Sequence, residues 1–180
     1  MKIVLDTCVL FPTVMREMIL GAARAGHFAP FWSERILEEW ARAAHRLGPD
    51  GEVQARGEIA LLRAAWPDAL LPPAPGVETR LWLPDPSDLH VLAVAVAGSA
   101  DAIMTLNARD FPRNILAEEG LTRVDPDSFL YGLWQQAPES IAAEANAVLA
   151  QANRLSGHHW EMRALLKKAR LPRLAKAVAG

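Results

Sequence analysis

At 180 residues, 51% apolar and 22% charged, the chain has the composition of a globular protein and the length of one domain, or of one domain with a helical appendage. No apolar run approaches the ~18 residues of a membrane span, and an aspartate as early as Asp6 is incompatible with a secretory leader, so a cytoplasmic protein is expected. The lone Cys8 excludes an internal disulfide and a cysteine-anchored zinc cluster, and the formal net charge of −2 names no partner.

The first element, Lys2 to Leu5, is a short β-branched run ending at Asp6 and reads as a buried strand. Thr13 to Ala25 has helical spacing, with Val14, Met18, Ile19 and Ala22 on one face and Gly26 as the stop. Ser33 is an N-cap for a helix running to about Leu47, with Glu34 in its first turn. A further helix is expected from Glu52 to Ala65. Four prolines between Trp66 and Pro75 predict a loop or an extended crossover. Asp85-Pro86-Ser87-Asp88 opens a helix over Leu89 to Ala97, apolar nearly all round and therefore buried. Ala102 to Thr105 is a second core strand, with Asn107 to Pro112 as the loop after it. Asp125-Pro126 and Pro138 each start a helix, and from about Ser140 the chain is helical. Strands alternating with helices predict an α/β fold with a parallel sheet.

Functional groups of such a sheet collect where strands end. The first strand ends at Asp6, and the second at Thr105 with Asn107 and Asp110 beyond. Asp88 lies in the first turn of the helix that leads into the second strand. Each acid also has a structural reading. Asp6 can start a turn, and Asp85, Pro86 and Asp88 form a capping arrangement. Asp125-Pro126-Asp127-Ser128 repeats that arrangement at a site to which no chemistry is assigned. Asp88 differs in that the helix behind it is almost wholly apolar, so its first turn lies against the core. On the helix after Ser33, Ile36, Trp40, Ala43 and Leu47 share a stripe. Glu39 sits at the edge of that stripe. Glu38 faces away and is placed to pair with Arg42 four residues on. Acids that converge repel one another and raise one another's pKa, unless a divalent cation lies between them. Mg²⁺ or Mn²⁺ suits carboxylate oxygens, and phosphodiester hydrolysis is the chemistry that such a set serves.

At these residues the sequence resembles the PIN-domain nucleases, and among them the VapC-like toxins of type II toxin–antitoxin pairs. The matching runs are Val4-Leu5-Asp6-Thr7-Cys8-Val9-Leu10, Ser33 to Trp40, Asp85-Pro86-Ser87-Asp88-Leu89-His90, and Ala100 to Pro112. They stand in the family's order and cover roughly residues 1–128. The resemblance implies a three-layer α/β/α domain over 1–128 with a central parallel sheet, leaving 129–180 as a C-terminal helical extension. It implies a metal-dependent endoribonuclease that binds Mg²⁺ or Mn²⁺ through Asp6, Glu39 and Asp88, with a cognate antitoxin and a homodimer as partners. Where the family has Thr-x-Asp, this chain has Thr105-Leu106-Asn107. Asp110 and Asn107 are expected to share the fourth role, with Asp110 as the charge donor and Thr105 as a hydroxyl contact. The rival expectation is a PIN-fold RNA- or protein-binding module with weak or no catalysis.

The tail lies outside these runs. Up to Ser128 the chain carries 12 Lys/Arg against 18 Asp/Glu, and from Phe129 onward 7 against 3. A basic tail on an acidic body docks on that body, meets nucleic acid, or is a solvated face. Arg163, Lys167 and Arg170 are predicted on one side of a helix, where they grip RNA phosphates or solubilise a face packed by Leu165, Leu166 and Leu171. Some VapC-like toxins carry a similar helical extension, and that resemblance makes the same helices candidates for an antitoxin or dimer surface. His158, His159 and Trp160 read as ordinary packing or as base-stacking groups.

Overall fold

The computed structural model describes residues 1–180. In chain order the elements are β1 (Lys2–Leu5), α1 (Thr7–Leu10), α2 (Thr13–Arg24), β2 (Ala29–Ser33), α3 (Glu34–Ala44), α4 (Gly51–Ala65), β3 (Leu70–Leu71), α5 (Pro75–Glu78), α6 (Leu89–Ala97), β4 (Ala102–Met104), α7 (Arg113–Glu118), β5 (Thr122–Val124), α8 (Pro126–Gln136), α9 (Pro138–Ser156), α10 (Met162–Lys168) and α11 (Pro172–Val178). Single 3₁₀ turns follow α3 at His45–Leu47 and precede α6 at Pro86–Asp88. The chain divides into two compact units: Met1–Phe11 with Ala29–Arg123, and Pro12–Phe28 with Val124–Gly180.

The first unit is built on a five-stranded sheet in the order β3-β2-β1-β4-β5, flanked by helices in the α/β/α manner. β1 runs parallel to both β2 and β4, and β2 parallel to β3. Ile3, Val4 and Leu5 are wholly buried, as are Ala102, Ile103 and Met104. That is the signature of parallel strands covered on both faces. Each large aliphatic side chain so buried contributes about 1.5–3 kcal/mol. From β1 the chain builds outward to β2 and β3 and then returns to the other side of β1 as β4. This reversal makes a crevice between the carboxyl ends of β1 and β4, the place where open α/β sheets bind ligands.

Three strands escape the sequence reading, each for a local reason. β2 (Ala-Pro-Phe-Trp-Ser) contains a proline and runs straight into the Ser33 cap, so it looks like the approach to a helix. β3 is two residues long inside the proline-rich crossover. β5 is a three-residue strand with exposed Thr122 at its start. The helices lie close to their expected ranges. Ser33 Oγ accepts from Ile36 N at 3.3 Å, capping α3. Gly26, at φ +85°, takes the left-handed conformation that ends α2, which few residues other than glycine adopt.

The second unit is all helical. Within it α2 packs on α8, α9 and α10, and α11 packs on α8 and α10. Leu165, Leu166, Leu171 and Leu174 form its buried seam. No helix in the chain is long and apolar enough to cross a membrane.

Candidate metal centre

The β1–β4 register determines what meets at the crevice. Leu5 pairs with Met104, and Asp6 N donates to Met104 O at 3.1 Å, so the next residues along, Asp6 and Thr105, emerge side by side. Thr105 Oγ1 donates to Asp6 Oδ2 at 2.7 Å, while Asp6 Oδ1 accepts from Thr7 N at 2.7 Å. The second of these bonds makes Asp6 the N-cap of α1, so the same carboxylate turns the chain and is aimed by it. Cys8 Sγ donates to Asp6 Oδ2 at 3.2 Å and accepts from Leu106 N at 3.3 Å. Burial first, and then the neighbouring Asp6 charge, push the Cys8 thiol up to about 12. It is therefore a neutral donor that helps hold the acid, and it is a poor nucleophile. Nothing in the sequence singled Cys8 out for this, because the contact needs β1 and β4 to be neighbours.

Asp88 follows from the start of α6. Asp85 accepts from Ser87 N at 2.9 Å and from Ser87 Oγ at 2.7 Å, forming the expected cap. Asp85 also lies beside two other acids. Carboxylate oxygens of Asp85, Asp88 and Asp110 all lie within 4.8 Å of one another, and Asp85 is the most exposed of the three. Sequence reasoning missed Asp85 because capping already accounted for it. Asn107 joins the group from the loop after β4: its Nδ2 donates to Asp110 Oδ2 at 2.7 Å and reaches Asp88 Oδ2 at 3.5 Å. Asn107 therefore ties the two acids together, and its own backbone N–H is held by Thr105 Oγ1 at 2.9 Å.

Glu39 approaches from α3. Thr7 Oγ1 lies 3.2 Å from Glu39 Oε2, Arg35 3.6 Å from Oε1, and His90 Nε2 2.8 Å from Oε1. The imidazole is buried, and the Glu39 carboxylate is the polar group that its Nε2 approaches. Burial tends to raise the Glu39 pKa, but His90, Thr7 and Arg35 outweigh it and hold the group below the usual carboxylate range. His90 was not assigned a role from sequence. On an apolar helix a histidine reads as core, and its partner lies on a different element. Glu38, by contrast, pairs at the surface with Arg42 and Arg56.

The centre is short of positive charge. No Lys, Arg or His forms an ion pair with Asp6, Asp85, Asp88 or Asp110, and the basic side chains at its edge, Arg35 and His90, contact Glu39. Burial first, and then the charges of Asp6, Asp85, Asp110 and Glu39, push Asp88 up to about 6. Hard oxygen donors, converging from separate elements with nothing to neutralise them, fit a small divalent cation.

The sequence model of the PIN domain matches residues 2–109, more than half of the chain. The chain belongs to the PIN domain family. Membership places it on a nuclease-type fold whose members are generally metal-dependent nucleases. The matched span runs from β1 through Asn107 and ends just before Asp110. Neither a curated protein nor a solved structure gave a significant match.

The predicted cationic stripe is altered by the structure. Arg163 and Lys167 are exposed on α10, but that helix ends at Lys168. Arg170 lies beyond it at φ +61°, in the left-handed turn into α11, so the three do not share a helix face. Trp160 packs against the His158 ring at 4.8 Å between centroids and carries Lys168 4.7 Å above its own ring. His159 is exposed beside Glu161.

Proposed function

We propose that the protein is a Mg²⁺- or Mn²⁺-dependent endoribonuclease acting in the cytoplasm, the VapC-like toxin of a type II toxin–antitoxin pair, with a cognate antitoxin and a second copy of the chain as partners. The observation that carries the nuclease reading is the uncompensated carboxylate group at the switch point between β1 and β4. Its Asp85, Asp88 and Asp110 oxygens would hold the cation, with Asp6 and Glu39 alongside. When bound, such a cation lowers the pKa of a coordinated water and stabilises charge on a phosphoryl oxygen.

The chain's own residues do the rest. Thr105, Thr7 N and Cys8 hold the Asp6 carboxylate in one orientation, so its remaining acceptor capacity faces the crevice at no further ordering cost. Asn107 keeps Asp88 and Asp110 close despite their repulsion. Glu39, kept ionised by its neighbours, holds a negative charge beside these acids at neutral pH. Substituting Asp6 by Asn keeps the size and most of the hydrogen bonds but removes the charge. Mn²⁺-dependent cleavage of RNA by D6N is expected to fall to background, with the melting temperature essentially retained. A D6N protein that still cuts would reject the assignment.

A second reading has one observation in its favour: Asn107 stands at the position of the family's fourth acid and is engaged with Asp110. It describes a PIN-fold RNA- or protein-binding module of weak or no activity. Titration with Mn²⁺ separates the two, since tight binding accompanied by RNA cleavage supports the enzyme.

A further inference from the structure

A second site lies in the helical unit and is built from different chemistry. Tyr131 and Trp134, three residues apart on α8, present rings 6.1 Å apart and within 14° of parallel. Together with Arg173 and Lys176 of α11 they line an open cleft of about 520 Å³. Both cations are exposed and neither is paired with a carboxylate. The acid best placed to neutralise them, Asp127, is buried and spent on backbone: its oxygens accept from Arg173 N at 3.1 and 2.9 Å and from Leu174 N at 3.0 Å. The Arg173 guanidinium makes one bond, to Ser128 Oγ at 3.2 Å, which leaves most of its five N–H donors available.

A near-parallel aromatic pair beside two unneutralised cations is complementary to a ligand with flat faces and spaced negative charges. A single-stranded nucleic acid is such a ligand: its bases stack on aromatic rings without regard to sequence, and its phosphates attract Arg and Lys. The net positive charge of the chain after Phe129 favours the same occupant. We infer that this cleft binds single-stranded RNA, a base stacking on Tyr131 and Trp134 while adjoining phosphates contact Arg173 and Lys176. The choice of RNA rests on the ribonuclease reading above; the stacking and charge do not.

The test is fluorescence anisotropy of a labelled single-stranded oligoribonucleotide with the full chain, in EDTA so that nothing is cut. For the double variant R173Q/K176Q, affinity should fall about tenfold and the slope of log affinity against log salt should become shallower by about 1.4, about 0.7 for each phosphate no longer neutralised. For W134A, affinity should fall about tenfold with the salt slope unchanged. Should W134A fail to melt cooperatively, the double variant decides, because both of its side chains are exposed. Wild-type affinity and slope in the variants, or no binding by the wild-type protein, overturns the inference. Wild-type protein that binds the oligonucleotide but never cleaves it with Mn²⁺ removes the nuclease reading and leaves the cleft. Cleavage by variants that bind normally removes the cleft and leaves the nuclease.

Discussion

Asp88 carries the most legible pH dependence in the molecule. Its pKa is raised from 3.8 to about 6, first by burial and then by four acidic neighbours. A carboxyl group raised in the folded state contributes stability at low pH and loses that contribution as pH climbs from about 4 through about 6. In EDTA, therefore, the protein should become less resistant to urea across that window. The same proton competes with a cation for the site, so Mn²⁺ affinity measured by calorimetry should weaken as pH falls below about 6. An affinity that stays flat from pH 7.5 to pH 5 would remove Asp88 from the cation's ligands. Cys8 illustrates the opposite case. Half-buried, neutral and donating to Asp6, it should react with thiol reagents only slowly at neutral pH.

At the scale of elements, two similar helix starts have different outcomes. Asp85-Pro86-Ser87-Asp88 and Asp125-Pro126-Asp127-Ser128 both cap a helix in the way their spacing predicts, Asp85 through Ser87 N and Asp125 through Ser128 N. In the first, the acid after the cap, Asp88, faces Asp110 and Asn107. In the second, Asp127 turns inward and caps the start of α11 with three bonds from backbone N–H groups. One acid is left with like charges, the other with donors. Replacing Asp127 by Ala strands the N–H groups of Arg173 and Leu174 and should cost about 1–3 kcal/mol in urea unfolding. Asn at the same position keeps an acceptor and should cost less. No loss in D127A would mean that water or rearrangement satisfies those donors.

For the molecule as a whole, the sheet order β3-β2-β1-β4-β5 decides where chemistry can occur. Reversal of strand order at β1 opens one crevice, and acids arrive there from β1, α3, the start of α6 and the loop after β4. Their mutual repulsion is a cost of the metal-free fold, so a cation that binds only the folded state should stabilise it by mass action. At a free Mn²⁺ concentration about a hundred times its Kd, the gain should be about 2.7 kcal/mol. It would register as a rise in melting temperature that EDTA reverses and D88N largely abolishes. An identical melting temperature with and without Mn²⁺ would show that the acids hold no ion.

Much of this was readable one segment at a time. β1 and β4 announce themselves as apolar runs, because strands buried on both faces need no alternation. α2, α3, α4 and α6 follow from helical spacing and from caps such as Ser33 and Asp85, which act within a few residues. Glu38 and Glu39 separate by helix geometry alone. β2, β3 and β5 were not readable, since such short strands, the first holding a proline and the second running into one, gain their stability from a neighbour's hydrogen bonds. Nor were the contacts of Cys8 and His90, or the place of Asp85 beside Asp110, because each depends on a partner brought near by folding. Local interactions dictate periodicity and capping, so sequence alone determined the elements and the kind of acid at each of their ends. Which of those acids share charge, which are held by a hydroxyl or an imidazole, and which are spent on backbone was decided by the tertiary structure, because electrostatic coupling depends on distance through space.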